Sequence, residues 1–267
     1  MPEKTRGVKV VSVMGDPGAG GLRELRIPMP EPARLRNKGT AMSDDRHVIN
    51  ALPPVVTALC LIAVAVELVL SAGQAGLVGG PTAIGWRLSA IQDYAISPAV
   101  VDYVLGRGDL APDLLKRFVT YPFVSASFTQ ALFGAALLLA LGKFVGEVFH
   151  PLATGAVFVG SGIFGALAFG LVAQGSQPLI GLFPPVYGLI GAFTYILWGR
   201  LGASGQNQLA AFRLIGFLLA LQLVFGVLFG GGLTWVAELA AFSFGFALSI
   251  VVAPGGWRAL LGRLRQR

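Results

Sequence analysis

Residues 152–172 have the sequence LATGAVFVGSGIFGALAFGLV, with no charged side chain and five glycines. A membrane-spanning helix needs about 20 mostly apolar residues, so this stretch predicts a transmembrane helix. Each such segment is expected to be helical, because hydrocarbon offers no hydrogen-bond partners to an open backbone. Five more apolar segments predict spans: residues 54–70, 128–145, 185–198 (extended by Leu179–Phe183), 209–229 and 233–252.

The distribution of charge favours a membrane protein and excludes several soluble classes. The 267-residue chain is 55% hydrophobic and 12% charged, whereas an ordinary soluble domain carries about 25% charged residues. Between Ser127 and Trp257 the charged residues are Lys143, Glu147, Arg200, Arg213 and Glu238. A soluble fold could not cover its surface with so few charges. A soluble enzyme, a disordered chain and a nucleic-acid-binding domain are therefore excluded, and no nucleic-acid partner is expected.

The two ends of the chain differ from its apolar middle. Residues 1–49, rich in Gly, Pro and charge, are predicted to be a disordered cytoplasmic tail, with Met42 as an alternative start. Residues 50–255 are predicted to form the membrane domain. Residues 256–267 are a basic tail, for which we expect a short helix on the anionic inner leaflet.

Positive charge predicts the orientation of the spans. Sixteen of the 20 Lys and Arg residues lie in the tails or in the turns assigned to one side, including Lys143, Arg200 and Arg213. The other four lie in the long loop between the first two spans: Arg87, Arg107, Lys116 and Arg117. The positive-inside rule then places both termini in the cytoplasm of a multi-pass protein of the cell (inner) membrane.

The long loop, Ser71–Ser125, is the only sizeable segment expected between spans. Ala95–Leu105 and Pro112–Phe118 mix apolar and charged residues at helical spacing. This pattern predicts interfacial helices that lie on the outer leaflet.

Glycines and other small residues recur in the third, fourth and sixth spans. Small residues let membrane helices approach closely. Gly181, Gly188 and Gly191 belong to the fourth span, and Ala241 and Gly245 have small-xxx-small spacing in the sixth. We therefore expect a compact all-α bundle with tight crossings among these three spans.

Five short motifs follow one another in a fixed order. They are KRFVTYPF at 116–123, SFTQALFG at 127–134, GK at 142–143, GLFPPVYGLIGA at 181–192 and AELAAFSFG at 237–245. In this order, with six spans and a long first outer loop, they resemble the rhomboid intramembrane serine proteases over about residues 50–255. The resemblance implies a six-transmembrane-helix rhomboid-like bundle. Arg117 matches an arginine of that family's first loop, while Lys116 replaces its tryptophan.

The resemblance also shows which catalytic residues of the family are absent from this sequence. A rhomboid protease uses a serine in the fourth span as nucleophile and a histidine in the sixth as base. The matching residues here are Phe183 and Glu238, and the oxyanion-stabilising positions of the second span are Gln130 and Gly134. Tyr187, one turn from Phe183, could hydrogen-bond Glu238, but phenol is a poor nucleophile near pH 7.

Glu238 and Glu67 are carboxylates inside apolar spans, where charge is costly and indicates a function or a partner. Three roles are open for Glu238. It could be a neutral acid that holds the fourth and sixth spans together, a group that binds polar atoms of a client helix, or a proton- or ion-handling group. Glu67 either pairs with a polar group elsewhere or lies near the outer interface.

Taken together, these observations predict a proteolytically degenerate rhomboid-like protein in the lipid bilayer. The scaffold implies that transmembrane client proteins bind to it and that it affects their folding, assembly or turnover. An intramembrane serine endopeptidase with non-standard residues and a proton- or ion-handling membrane protein are the alternatives. No cofactor or metal site is expected, since Cys60 is the single cysteine and His47 and His150 lie at the ends of spans.

Overall fold

The computed structural model describes residues 52–173, 177–229 and 232–254 of the chain. The predictions for the tails at 1–49 and 256–267 fall outside these residues. Within the described ranges the ordered elements are helices, and the one β-feature is an isolated antiparallel bridge between Ile96 and Leu179. The protein is therefore an all-α membrane protein.

Ten α-helices account for most of the described residues. Four of the described helices, α1, α6, α7 and α10, are long and apolar enough to cross a membrane. The ten are α1 (Pro54–Gln74), α2 (Trp86–Tyr94), α3 (Pro98–Val101), α4 (Pro112–Leu115), α5 (Arg117–Thr120), α6 (Phe128–Gly146), α7 (Pro151–Val172), α8 (Phe183–Ala203), α9 (Arg213–Phe229) and α10 (Thr234–Val252).

Helix α8 is the central helix of the bundle. It is 21 residues long, but its prolines, glycines and Arg200 lower its mean hydropathy, and it is not among the four helices above. It packs against α6, α7 and α10. Ten of its residues are buried, from Pro184 to Thr194. A helix covered by protein on most sides needs less apolar surface than one that faces lipid, which accounts for its mixed composition.

Glycines set the distances between α7, α8 and α10. A Cβ atom on Gly245 of α10 would overlap the backbone carbonyl of Gly188 on α8, and one on Gly191 would overlap the carbonyl of Phe242. On Gly165 of α7, a Cβ would lie 2.6 Å from the Ala237 carbonyl oxygen. The tight crossing predicted from the glycine pattern is confirmed. Tyr187 near the start of α8 meets Glu238 near the start of α10, and Tyr195 further along α8 meets Phe246 further along α10, so the two helices run parallel.

The predicted extension of the fourth span by Leu179–Phe183 is correct for Phe183 and wrong for residues 179–182. Leu179 donates to and accepts from the backbone of Ile96, at 2.8 and 3.1 Å, so it is extended. Gly181 then turns the chain with a φ of +93°, and α8 begins at Phe183. The hydropathy of residues 179–183 could not distinguish an apolar bridge from the start of a helix.

The long loop contains more helix than the sequence predicts. Helix α2 was not expected, because its residues, WRLSAIQDY, mix polar and apolar types without a strong pattern. The helix predicted at Ala95–Leu105 begins at Pro98 instead, since the bridge of Ile96 holds residues 95–97 outside it, and it continues as a π-helical turn over Asp102–Gly106. The segment predicted at Pro112–Phe118 is divided into α4 and α5.

Three cationic residues assigned to turns lie in helices. Lys143 is in the last turn of α6, Arg200 is in the last turn of α8, and Arg213 is the first residue of α9. The fifth apolar segment, predicted from Leu209, starts as a 3₁₀ turn at Gln208–Phe212 before α9 begins.

Candidate functional site

The site begins at the turn that leads into α8. The Gly181 N–H donates to the Tyr121 carbonyl at 3.1 Å, and the Tyr121 hydroxyl donates to the Gly162 carbonyl of α7 at 2.9 Å. Complete burial raises the pKa of Tyr121 far above its ordinary value, so its hydroxyl remains a proton donor. This chain of contacts fixes the position of Phe183 relative to α7.

Phe183 and Tyr187 lie on one face of the first turns of α8, because residues four apart on a helix are neighbours. Phe183 is half-buried and packs at the edge of the main hydrophobic core, whereas Tyr187 is a buried member of it. The position that the sequence resemblance assigns to a nucleophile therefore holds an aromatic ring at the boundary of the core.

Glu238 lies in the second turn of α10, on the same end of the bundle as Phe183. Its side chain is 6% exposed. The Tyr187 hydroxyl lies beside the Glu238 carboxylate, close enough for the two groups to interact. Glu238, which occupies the position of the family's base, thus contacts Tyr187, which lies one helical turn after Phe183. This polar contact joins α8 and α10 inside the core.

Gln130 and Gly134 of α6 lie against the turn before α8. Gln130 accepts a hydrogen bond from the Ala126 N–H through Oε1 at 2.9 Å. Its Nε2 lies beside Gly181, where a Cβ atom would be 2.8 Å away. A Cβ on Gly134 would lie 3.0 Å from Leu182 Cβ. The structure therefore brings the second-span residues next to the segment that carries Phe183.

Arg117 lies in the long loop, where it connects α5 to the end of α2. Its Nη1 donates to the carbonyls of Gln92 and Ala95, at 2.9 and 3.2 Å, at the end of α2. These carbonyls have no partner inside the helix, and a cation at a helix carboxyl end also interacts favourably with the helix dipole. These two hydrogen bonds indicate that Arg117 positions the end of α2.

A buried ion pair was missed at the sequence level. Arg87 of α2 binds Glu67 of α1 through Nη2–Oε1 at 2.6 Å and Nη1–Oε2 at 3.1 Å. Its remaining donors reach the Ser71 hydroxyl, the Gln74 side chain and the Ser125 carbonyl, at 3.2, 3.2 and 2.7 Å. The available signal was a lone carboxylate in an apolar span together with an arginine in the following loop. Of the two expectations for Glu67, pairing with a polar group is confirmed.

The described side chains of the site do not form a nucleophile–base pair. The Tyr187 hydroxyl lies beside Glu238, whereas Ser243 is exposed and donates to the Leu239 carbonyl at 2.8 Å. His150 caps the start of α7, at the other end of the bundle. Within the described residues, no cluster of three His, Cys, Asp or Glu side chains could hold a metal ion.

Comparison with known proteins identifies the scaffold. A search of curated proteins gives no match to this chain. A family model described as the rhomboid domain matches residues 112–255, more than half of the chain, and the match includes Phe183, Tyr187 and Glu238. The resemblance inferred from the five motifs is thus confirmed, and the chain belongs to the rhomboid family.

Proposed function

We propose that this rhomboid-family protein is proteolytically inactive and binds transmembrane segments of client proteins at the Phe183–Tyr187–Glu238 face. The observation that carries the proposal is that Tyr187 of α8 lies beside Glu238 of α10. A catalytic dyad needs a nucleophile and a base that exchange a proton. Here the two family positions hold Phe183 and Glu238, and the carboxylate engages a phenol.

The proposal includes six spans, with both termini of the chain on the same side of the membrane. Helices α8 and α10 run parallel, so the chain must cross back between them, and α9 is the helix available for this. Its 17 residues measure about 26 Å, close to the thickness of the hydrocarbon core. We therefore count α8 and α9 as spans. The excess of positive charge assigns both termini to the cytoplasm of a cell membrane.

A client helix would be recognised by apolar packing and one polar contact. Phe183 and Gln130 are half-buried, so both are reachable from the side of the bundle. An interhelical hydrogen bond in a membrane contributes about 0.6 kcal/mol on average, so binding depends mostly on shape and apolar contact. Such a protein would influence the folding, assembly or turnover of its clients without cleaving them.

Photocrosslinking tests the proposal. A photoreactive phenylalanine analogue is placed at Phe183, at Gln130 and, as a lipid-facing control, at Leu68 of α1, which is 57% exposed. We expect the first two positions to capture the same membrane proteins, identified by mass spectrometry, and the control to capture none of them. Equal capture at all three positions would contradict a specific client site.

A cleavage assay tests the loss of proteolysis. The purified protein is incubated with a transmembrane substrate that an active rhomboid protease cleaves. We expect no product. Cleavage that disappears in both Glu238→Gln and Tyr187→Phe, but persists in Ser243→Ala, would replace this proposal with a protease that uses non-standard residues.

A further inference from the structure

A cavity of about 980 Å³ lies at the end of the bundle opposite to Glu238. It is bounded by the last turns of α8, the loop that follows, Val148 and Phe149 after α6, and Ala253 at the end of α10. The first residue of α8 that lines the cavity, Tyr195, is about 12 Å along the helix from Tyr187, so the cavity is separate from the Glu238 site. Pockets of about 300–1,000 Å³ hold small ligands in other proteins.

The polar lining of the cavity includes one cation, Arg200, and the side-chain amides of Gln206, Asn207 and Gln208. Arg200 contributes an exposed guanidinium, which has no hydrogen bond or ion pair with any described residue. The Asn207 side-chain oxygen already accepts from the Leu209 N–H at 3.0 Å, which leaves its amide N–H groups available. None of the described lining residues is acidic, and Glu147, which precedes Val148, is not one of them. This chemistry favours an anion.

The position of the cavity indicates which class of anion it would bind. Three of the apolar spanning helices, α6, α7 and α10, end or begin at its level, so it lies at the edge of the hydrocarbon zone. Tyr195 and Trp198 line it, and such aromatic residues are enriched at membrane interfaces. Phe149 and Ile196 provide an apolar wall beside the polar groups. A ligand that carries both a phosphate and acyl chains matches this combination.

We propose that this cavity binds the phosphate-bearing headgroup of an anionic phospholipid, with Arg200 as the principal contact. Guanidinium groups bind phosphate oxygens in a two-pronged geometry and form charge-assisted hydrogen bonds. The amides of Asn207 and Gln206 supply further donors, and the first carbons of the acyl chains lie against Phe149 and Ile196. Basic pockets at the ends of transmembrane helices are a recognised site for such headgroups.

Lipid binding to the full-length protein tests this site. The protein is reconstituted into phosphatidylcholine nanodiscs with and without phosphatidylglycerol, and bound lipid is measured by native mass spectrometry alongside the thermal midpoint. The variants are Arg200→Gln and a matched control, Arg213→Gln, whose guanidinium is exposed at the same end of the bundle but does not line the cavity. The basic tail is present in every sample.

We expect Arg200→Gln to weaken phosphatidylglycerol retention about tenfold, the value of one charge-assisted hydrogen bond, and Arg213→Gln to leave it unchanged. An equal loss in both variants, or none in Arg200→Gln, would overturn the proposal. A thermal midpoint in pure phosphatidylcholine that matches the wild type shows that Arg200→Gln is folded, and Arg200→Lys recovers part of the binding. If inorganic phosphate or glycerol phosphate binds the detergent-solubilised protein as tightly, with the same dependence on Arg200, the ligand is a soluble phosphate and the lipid assignment is wrong.

Discussion

Arg87 and Glu67 form a two-pronged ion pair, with Nη2–Oε1 at 2.6 Å, in which both side chains are at least nine-tenths buried. The pair joins α1 to α2, and the contact of Arg87 with the Ser125 carbonyl extends it to the start of α6. One arginine therefore ties the loop to both helices that flank it. Because each donor of this guanidinium has an acceptor, the cost of burying the charge is offset in the folded state.

Glu67→Gln is expected to destabilise the protein strongly. The change preserves the size of the side chain but leaves the buried Arg87 without a counter-ion, and breaking such a pair costs about 3–5 kcal/mol. The matched control is Asp113→Asn, which breaks the exposed ion pair of Asp113 with Lys116, a contact of 2.6 Å. Thermal unfolding in detergent measures both. If both substitutions lowered the thermal midpoint equally, burial would not determine how much an ion pair stabilises this protein.

The Glu67–Arg87 pair also shows how far the sequence could predict the structure. The transmembrane segments and the glycine crossings were predictable, because they depend on composition and on spacing within one helix. The partner of Glu67 was not, since it is 20 residues away in a loop that carries three other cations. Leu179 was assigned to a helix for the same reason: its bridge to Ile96 is a long-range contact that local hydropathy does not contain.

The candidate site was predicted in part, and for a different reason. Phe183 and Glu238 were assigned by motif order, and their spacing along the chain could not establish a contact. Tyr187 was recognised as a partner of Glu238 because it lies one helical turn from Phe183. The structure adds the position of Gln130 beside Gly181, which depends on how α6 packs against the turn before α8.

Gly245→Ala is expected to destabilise the α8–α10 crossing by about 1–3 kcal/mol, because an added methyl group in a closely packed core forces its neighbours apart. The atoms in its way belong to the backbone of Gly188, which cannot rotate aside as a side chain can. Gly216→Ala in α9 is the control, since a Cβ there meets no atom within 4 Å. Alanine also favours helix over glycine, so the control is expected to be neutral or slightly stabilising. Equal thermal midpoints for the two variants would contradict the close approach.

Tyr187→Phe and Glu238→Leu are expected to be coupled. Each change removes the interaction between the two side chains, so the double variant should lose less than the sum of the single variants. We expect a coupling energy of about 0.6 kcal/mol, the average for interhelical hydrogen bonds in membranes. Combining Tyr187→Phe with Ser243→Ala provides the comparison, because the Ser243 hydroxyl bonds within its own helix. Equilibrium unfolding in mixed detergent and SDS measures both double-mutant cycles. An equal coupling energy in the cycle with Ser243→Ala would count against a specific contact between Tyr187 and Glu238.

Gly181→Ala is expected to disturb the site through its backbone and through its added methyl group. The φ of +93° lies in the left-handed region, where a residue with a Cβ is strained by about 1–2 kcal/mol. The new Cβ would also lie 2.8 Å from Gln130 Nε2, so the Gln130 side chain would have to move away from Phe183. Gly205→Ala separates the two effects, because Gly205 has a φ of +69° with no atom within 4 Å of its Cβ position. We expect both variants to lose stability in thermal unfolding, but only Gly181→Ala to reduce crosslinking of clients from Gln130. Unchanged capture in Gly181→Ala would mean that the turn before α8 does not shape the client-binding face.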